Sequence, residues 1–303
     1  MATLDDPELL RTVLETLPLG VYIVDRERRI RFWNEGAEMI TGFLRQDVVG
    51  RFCRDDILVH CDEHNVNLCV AGCPLTKVLR DGQPSEADMY LQHRGGYRVP
   101  VRVRAVPLRD RNGSILGVAE TFEERSKFPR PDRRRRKLEA AGCLDPSTGL
   151  ASPRFVESQI LQHLILLERH AIPFGILQVE VERLQHFQEL RGREAVDEIL
   201  RVVGQTLVNS LRHTDVVGLW GSDRFVIVVT FCQAAALTKV GQRLHWIVPR
   251  AAIPWWGDQL SVSISAGITA ARAVDTLETI LQRTERALEK SRNQGGNAVL
   301  LWD

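Results

Sequence analysis

The stretch that decides the fold of the C-terminal half is VVGLWGSDRFVIVVTF, residues 216–231. It contains two apolar runs, joined by the turn sequence Gly221-Ser222-Asp223-Arg224. Short apolar runs on either side of a glycine-containing polar turn predict a β-hairpin with buried strands. The hairpin places a carboxylate and a guanidinium group next to each other in its turn.

Helices and strands alternate on both sides of this hairpin. Upstream, apolar residues at helical spacing predict a helix over 155–169, and the apolar segment 174–182 predicts a strand. The other predicted elements are a helix–turn–helix over 184–212, a helix over 234–248, a strand over 261–269, a helix over 275–292 and a final strand over 298–302. This order predicts an α/β domain, a central sheet with helices on both faces.

The N-terminal half has a different pattern. After an amphipathic helix over 9–17, the segments 21–25 and 30–34 predict a first pair of strands, followed by short helices. Three further strands are predicted at 87–93, 99–108 and 115–122. The turns between these three contain Gly-Gly and Asn-Gly, which tight hairpins require. We therefore expect an antiparallel sheet with helices here, and an α+β class for the chain.

A basic segment separates the two halves. Residues 126–137, SKFPRPDRRRRK, contain two prolines, with six Lys or Arg side chains from Arg130 to Lys137. From this break we predict one domain over 1–125, a basic linker with a signalling helix over 126–142 and a second domain over 143–303. The basic run fits either a membrane surface or nucleic acid as a partner, or a solvated linker.

The composition limits the function further. The 303 residues carry 40 Lys and Arg against 39 Asp and Glu, a net charge of +1, so the whole chain has no electrostatic attraction for nucleic acid or membranes. The sequence has no apolar run of about 18 residues, the length that a membrane span requires. Because the acidic N-terminus lacks the features of a secretory signal, we expect a cytoplasmic location.

Four of the six cysteines fall in one short region. They are Cys53, Cys61, Cys69 and Cys73, with His60 among them. Their spacing is not the paired C-x2-C of a zinc site. Thiolates and imidazoles together are nevertheless the ligands of metal, iron–sulfur and redox centres. The alternative is that the cysteines pack as small apolar side chains, and the sequence leaves both interpretations open.

Positions in the N-terminal half resemble motif positions of the PAS domain family. They are Asp25, Trp33, Asn34, Gly42, Gly50 and the hairpin sequence GGYRVPV at 95–101. The resemblance covers about residues 8–124. It implies a sensory or dimerising module with a pocket between sheet and helices, whose ligand the fold does not determine.

Five blocks of the C-terminal half resemble, in order, the GGDEF domain family, whose active members condense two GTP molecules into cyclic di-GMP. The blocks 145–150, 179–200, 219–225, 263–267 and 284–297 resemble the family segments DxLTGL, DIDHFKxINDxxGHxxGDxxL, RYGGDEF, SIG and ADxALYxAKxxGRN. The resemblance implies a nucleotidyl-cyclase-like sheet with helices on both faces.

The family's metal ligands are altered in this sequence. The resemblance implies that Glu180, the Val181 carbonyl and the side chain at position 224 would hold the metal, and position 224 is an arginine. Like charges at 4 Å repel by about 4 kcal/mol per unit charge in an effective dielectric of about 20. We therefore expect magnesium binding to be weak or lost, and cyclase activity with it. Arg224 either closes the site through an ion pair with Glu180 or replaces the metal and holds a phosphate.

Other family positions are partly kept. The vestigial signature consists of Gly221, Ser222, Asp223, Arg224 and Phe225. Asp223 keeps the acid that the family uses to activate the attacking hydroxyl. For nucleotide binding, Gln188 replaces the guanine-reading asparagine and Asp197 keeps the guanine-reading acid. The phosphate-contacting lysines align with Gln185 and Arg292, so one charge is lost and one is kept.

Arg212 and Asp215 form an R-x-x-D pattern shortly before Gly221. In the family this pattern belongs to an allosteric site for cyclic di-GMP. A guanidinium group can take the O6 and N7 edge of guanine, and a carboxylate can accept from N1 and N2. The alternative is a surface ion pair of little energetic weight, and the sequence leaves both open.

These observations lead to one main hypothesis and two alternatives. The main hypothesis is a cyclic di-GMP-related signalling protein, with a PAS sensor coupled to a catalytically degenerate GGDEF domain that acts as nucleotide receptor or protein-interaction module. The alternatives are a residual diguanylate cyclase that uses Glu180, Asp223 and magnesium, and a cysteine-cluster redox or cofactor sensor. We expect a homodimer, GTP or cyclic di-GMP as ligand and an unidentified protein partner, but no nucleic acid.

Overall fold

The computed structural model describes residues 7–55, 57–62, 66–125, 138 and 141–302. The chain divides into two compact units, residues 1–127 and 128–303. Most of the predicted linker and signalling helix lies outside the described residues. Among the described helices, none combines the length and the apolar composition that crossing a bilayer requires.

The N-terminal unit is built on a five-stranded antiparallel sheet, as the sequence predicts. Its helices are α1 (Pro7–Thr16), α2 (Glu35–Thr41), α3 (Arg45–Val48), α4 (Leu68–Ala71) and α5 (Pro74–Asp81). Its strands are β1 (Gly20–Asp25), β2 (Ile30–Trp33), β3 (Ser85–Gln92), β4 (Arg98–Arg109) and β5 (Ile115–Glu124). The strand order is β2-β1-β5-β4-β3, and all neighbouring strands are antiparallel.

Asn34 joins the sheet of this unit to its first helices. Its Oδ1 caps α2 by accepting from the backbone N–H of Ala37 and also accepts from that of Val21, both at 2.8 Å. Its Nδ2 donates to the carbonyls of Leu14 and Leu19, both at 3.0 Å. A buried amide that makes hydrogen bonds through both of its ends fixes α1, β1 and α2 relative to one another.

The core of the N-terminal unit is aromatic. Tyr22, Trp33 and Phe122 are each at most 1% exposed, and the centroids of their rings lie 5.5 to 6.4 Å apart. Cys53 belongs to the same buried cluster, and Cys73 packs against it. The β1 and β5 strands therefore carry the centre of this unit's core.

The C-terminal unit is built on a second five-stranded sheet. Its helices are α6 (Pro153–His170), α7 (Leu184–Arg191), α8 (Arg193–Asn209), α9 (Ala234–Ile247) and α10 (Leu277–Asn293). Its strands are β6 (Phe174–Val181), β7 (Val216–Leu219), β8 (Arg224–Thr230), β9 (Ile253–Trp255), β10 (Asp258–Leu260), β11 (Ile264–Ala270) and β12 (Val299–Leu301). The main sheet has the order β12-β11-β6-β8-β7, in which only β11 and β12 are parallel among the described strand pairs.

Helices cover both faces of this sheet, as predicted. On the α10 face, a Cβ on Gly267 would lie 2.2 Å from the carbonyl oxygen of Thr284. On the opposite face, a Cβ on Gly175 would lie 2.5 Å from the side chain of Leu237 in α9. Glycine at these two strand positions lets α10 and α9 approach the sheet closely.

Pro254 lies within a short strand, although proline is uncommon inside strands. This strand belongs to the small hairpin β9–β10, whose turn residues Trp256 and Gly257 have φ angles of 48° and 89°. Positive φ at both central residues is the conformation of a two-residue hairpin turn. This turn leaves the Trp256 indole 87% exposed. The strand expected from residue 261 begins at Ile264.

Candidate functional site

The ends of β6 and β8 bring Glu180 and Arg224 together. The two residues are directly opposite in the antiparallel register of these strands, so their side chains emerge on the same face of the sheet. Arg224 Nε lies 3.0 Å from Glu180 Oε2. Asp223 precedes Arg224 in the chain, and its Oδ1 lies 3.7 Å from the same nitrogen.

α10 adds two charged side chains at the same place. Glu285 and Arg292 are two helical turns apart and therefore lie on one side of α10. Arg224 Nη1 donates to both carboxylate oxygens of Glu285, at 2.8 and 2.9 Å. Arg292 Nη1 donates to Glu180 Oε2 at 3.1 Å. We call Glu180, Asp223, Arg224, Glu285 and Arg292 the Arg224 cluster.

The charges of the Arg224 cluster compensate each other. Three carboxylates face two guanidinium groups, which leaves a formal charge of −1. Partial burial lowers the pKa of Arg224, but the charges of Glu285, Glu180 and Asp223 together outweigh this and raise the pKa above its ordinary value. Arg224 is therefore a permanent cation, and two glutamates that could bind a metal ion already bind arginine.

The remaining nucleotide-site candidates lie outside the Arg224 cluster. Gln188 is exposed on α7, and Asp197 is exposed on α8. Gln185, also on α7, donates to Glu189 Oε1 at 3.2 Å. The structure thus brings Glu180, Asp223 and Arg224 together with Arg292, and the guanine-reading candidates lie at the surface.

Sequence reasoning missed Glu285. It occupies the second position of the block 284–297, where the family segment has an aspartate. The acidic residue at this position could therefore be read from the resemblance. Its role was not visible, because it depends on α10 lying over the end of β6.

Asp215 is a buried structural residue. Its side chain accepts at Oδ2 from the backbone N–H of Arg212 at 2.9 Å and at Oδ1 from that of Thr230 at 3.0 Å, and the residue is 6% exposed. The Arg212 side chain is exposed. The interpretation of Arg212 and Asp215 as a surface ion pair is therefore wrong, because Asp215 binds backbone N–H groups instead.

The cysteines of the predicted sensor cluster are free thiols. Cys53 and Cys61 are buried, and Cys69 and Cys73 are half-buried. Burial raises the pKa of Cys53 to about 12 and that of Cys69 to about 11, so both are protonated at neutral pH. Within the described part of the chain, no three His, Cys, Asp or Glu side chains are placed to hold a metal ion. The metal interpretation of the cluster has no support there.

Comparison with protein-family models identifies both units. Residues 143–298 match the model described as diguanylate cyclase, GGDEF domain. The chain belongs to the GGDEF domain family. Residues 14–129 match the PAS fold model, so a PAS domain precedes the GGDEF domain.

Curated relatives carry the GGDEF domain within longer chains. Diguanylate cyclase DosC of Escherichia coli K12 is 26% identical over 160 residues, which is 52% of this chain and 35% of DosC. Probable diguanylate cyclase DgcE of the same strain is 23% identical over 321 residues, which is 100% of this chain and 27% of DgcE. The chain thus spans about a third of the length of these relatives.

Solved structures share the fold of the GGDEF domain. Diguanylate cyclase SiaD of Pseudomonas aeruginosa, solved with its activator SiaC, matches with a TM-score of 0.52 at 22% identity, over 57% of this chain and 68% of SiaD. The GGDEF domain of DgcB from Caulobacter crescentus, solved with c-di-GMP, matches with a TM-score of 0.50 at 15% identity, over 52% of this chain and 95% of that domain. At these identities the likeness establishes the fold of the GGDEF domain and no more.

Proposed function

We propose that the GGDEF domain of this chain is catalytically degenerate, and that the protein signals by binding a nucleotide or a protein partner and not by making cyclic di-GMP. The observation that carries this proposal is the contact of Arg224 Nη1 with both oxygens of Glu285, at 2.8 and 2.9 Å. This contact places a cation where the family resemblance expects a metal ion. Phosphoryl transfer of this type depends on metal ions that position the phosphates and neutralise their charge.

A metal ion at this place has either to displace Arg224 or to bind beside it. Hydrogen bonds between a guanidinium group and a carboxylate are among the stronger ones in proteins. If Arg224 stays near the ion, repulsion of about 4 kcal/mol per unit charge corresponds to roughly a thousandfold loss of affinity. Both effects oppose magnesium binding.

The same geometry favours an ion pair over a phosphate-binding role for Arg224. Its Nε and Nη1 atoms already face Glu180 and Glu285. The formal charge of −1 on the Arg224 cluster repels a phosphate. We therefore propose that the catalytic pocket is closed by its own side chains.

Arg212 is the residue that we propose for cyclic di-GMP binding. Its guanidinium group is exposed, whereas the Asp215 carboxylate is buried and fixes the Arg212 backbone. Arg212 would make the contact with guanine or phosphate, and Asp215 would position it. The complex of the DgcB GGDEF domain with c-di-GMP supports this class of ligand.

We also propose that the protein is a cytoplasmic homodimer whose PAS domain receives the signal. The helix α1 supports the dimer, because none of its residues is buried and Leu9, Leu10 and Val13 are 39%, 54% and 51% exposed. A second copy would cover this apolar face. The output would be contact with a protein partner.

Product formation tests the proposal directly. The full chain is incubated with GTP and magnesium, and cyclic di-GMP is measured by chromatography beside Asp223→Asn, which removes the retained acid. We expect both proteins to match a protein-free blank. Turnover by the unmodified chain that Asp223→Asn abolishes would overturn the proposal.

A residual cyclase is the second candidate, because Asp223 keeps the acid of the signature. Its side chain is 42% exposed and its distance from Arg224 Nε, 3.7 Å, exceeds that of a hydrogen bond. The acid is therefore available to a substrate hydroxyl. The experiment with Asp223→Asn separates this candidate from the first.

A further inference from the structure

A buried polar group lies in the centre of the PAS domain. The Tyr22 hydroxyl donates to Glu120 Oε1 at 2.8 Å, and His60 Nε2 lies 3.7 Å from the same oxygen. The three residues are 0%, 1% and 5% exposed. His60 Nε2 has no hydrogen-bond partner among the described residues. A buried polar atom without a partner is uncommon in folded proteins, because its desolvation is uncompensated.

The loop that carries His60 is strained at Val59 and held by several hydrogen bonds. Within it, the Val59 carbonyl accepts from Arg98 Nη1 at 2.6 Å, and the His60 carbonyl accepts from the backbone N–H of Leu68 at 2.9 Å. On one side, Leu58 accepts from the backbone N–H of Gln92 at 2.6 Å. On the other side, Cys61 exchanges backbone hydrogen bonds with Tyr90. Between these points Val59 has a φ angle of 37°, which is highly unfavourable for a β-branched residue. Strain of this kind persists only where the surrounding structure imposes it, and it is concentrated in switch regions.

The surroundings of the group explain its protonation state. Burial raises the pKa of Glu120 to about 8, against the hydrogen bond from Tyr22, which lowers it. Burial, assisted by Arg98, lowers the pKa of His60 to about 4. Both groups are therefore uncharged at neutral pH. The other titratable or charged groups that act on Tyr22 or His60 are Cys53, Cys73 and Arg98, and Glu120 in turn acts on Cys69.

We propose that Glu120 and His60 form a proton switch in the PAS core, in which loss of the Glu120 proton to solvent closes the gap to His60 and moves the strained loop 57–62. An ionised carboxylate accepts hydrogen bonds at about 2.7–2.9 Å. His60, in its neutral Nε2–H tautomer, would approach Glu120 by about 1 Å to donate to Oε1. Tyr22 keeps its bond to the same oxygen in both states. Because Val59 is strained, the approach can be accommodated by a change in its backbone angles.

Movement of this loop has a structural consequence. Leu58 and Cys61 pair with the end of β3, so a displacement of His60 is transmitted to the edge of the PAS sheet. The proposed signal is therefore a rise in pH, or any ligand that favours the ionised Glu120. This inference goes beyond the function proposed above and does not depend on it.

Infrared spectroscopy of the full chain tests the protonation step. A protonated carboxyl group has its own C=O band, and we expect such a band at neutral pH that disappears with a midpoint of about 8. Glu120→Gln should remove the titrating band. Glu123→Gln, an exposed glutamate on the same strand, should retain it. A spectrum without this band at neutral pH would show that Glu120 is ionised there and would overturn the proposal.

His60→Leu tests the coupling, because leucine has no side-chain hydrogen-bond donor. If His60 donates to the ionised carboxylate, its loss should disfavour ionisation and raise the midpoint by roughly one pH unit, a tenfold change in the ionisation constant. Trypsin cleavage after the exposed Arg54, relative to cleavage after the exposed Arg111 at the same pH, should change through the midpoint in the unmodified chain. An unchanged midpoint in His60→Leu together with constant cleavage would overturn the switch. This pair of measurements decides the proposal even if Glu120→Gln does not fold.

Discussion

Glu285 accepts two hydrogen bonds from one nitrogen of Arg224, at 2.8 and 2.9 Å, although 61 positions separate the two residues in the sequence. The contact exists because α10 lies over the face of β6 and β8 where Glu180 and Arg224 are cross-strand neighbours. A helix and a hairpin that are distant in sequence therefore complete one charge cluster. The presence of Arg224 in this cluster is the basis of the first two predictions.

Arg224→Glu should create divalent-ion binding. The substitution removes the cation and leaves Glu180, Asp223, Glu285 and the new carboxylate around one point, with Arg292 as the remaining guanidinium. Carboxylate oxygens are the ligands that magnesium and manganese prefer. We expect manganese affinity at least tenfold above that of the unmodified chain, measured by calorimetry. Arg286→Glu makes the same charge change at an exposed position of α10 and should bind no better than the unmodified chain.

Glu285→Gln should destabilise the GGDEF domain modestly. Arg224 would lose a charged acceptor, and Glu180 would keep both of its arginine contacts. The side chains of Arg224 and Glu285 are 26% and 30% exposed, so we expect a loss of about 1 kcal/mol in the free energy of unfolding. Urea titration at low and high salt measures it, and the loss should be smaller at high salt. A loss that does not depend on salt would show that packing, not charge, is responsible.

The stability of the PAS domain should decrease as pH rises from about 6.5 to about 8, whereas the contributions of Glu120 and His60 oppose each other between about 4.5 and 6.5. The pKa of Glu120 is raised from 4.5 to about 8 in the folded state, so the folded state binds more protons than the unfolded state in this interval. His60 acts in the opposite direction, because its pKa falls from 6.5 to about 4 and stability is lost as pH falls through that interval.

Replacing Glu120 with Gln should flatten the alkaline limb of this profile. The titration of a fully buried group such as Glu120 should change the free energy of unfolding by about a few kcal/mol between the acidic and alkaline ends of the profile. Chemical denaturation across pH measures the slope, and the exposed control Glu123→Gln should keep the profile of the unmodified chain. Parallel profiles for Glu120→Gln and the unmodified chain would contradict the assignment.

Asp215→Asn should destabilise the GGDEF domain by about 1–3 kcal/mol. An amide has a single oxygen, so one of the two backbone N–H groups of Arg212 and Thr230 would lose its acceptor. Arg212→Ala should leave the free energy of unfolding nearly unchanged, because the Arg212 contact is made by its backbone. Denaturant titration compares the two variants.

Arg212→Ala should instead abolish cyclic di-GMP binding if the proposed receptor site is correct. Calorimetry with the full chain measures it, with Arg286→Ala as an exposed-arginine control. Equal binding of cyclic di-GMP by both variants would show that the ligand binds at another site. Absence of binding by the unmodified chain would show that cyclic di-GMP is not its ligand.

Strands could be predicted where apolar and charged side chains alternate and turn-forming residues follow. Residues 99–108 alternate apolar and charged side chains, and they lie within β4. The β9–β10 hairpin could not be predicted, since Pro254 argues against a strand. Its turn uses Trp256 at a positive φ, a conformation that glycine and asparagine usually provide.

The candidate site could be predicted only in part. The signature positions could be predicted because they are contiguous in the sequence. The pairing of opposite charges at Glu180 and Arg224 could be predicted from the resemblance to the family blocks. The roles of Glu285 and Glu120 could not be read, because each depends on packing between elements that are far apart in the sequence. Local patterns specify elements, whereas the partner of a buried charge is fixed only when the elements pack.

Trp256, in the turn of the β9–β10 hairpin, is an intrinsic fluorescent probe. Of the six tryptophans, Trp33 is fully buried, whereas Trp256 is 87% exposed to water. Iodide or acrylamide therefore quenches the Trp256 indole far more readily than the Trp33 indole. Anything that docks beside β9–β10 shields this emission, so an encounter at that edge of the GGDEF domain can be followed without attaching a dye.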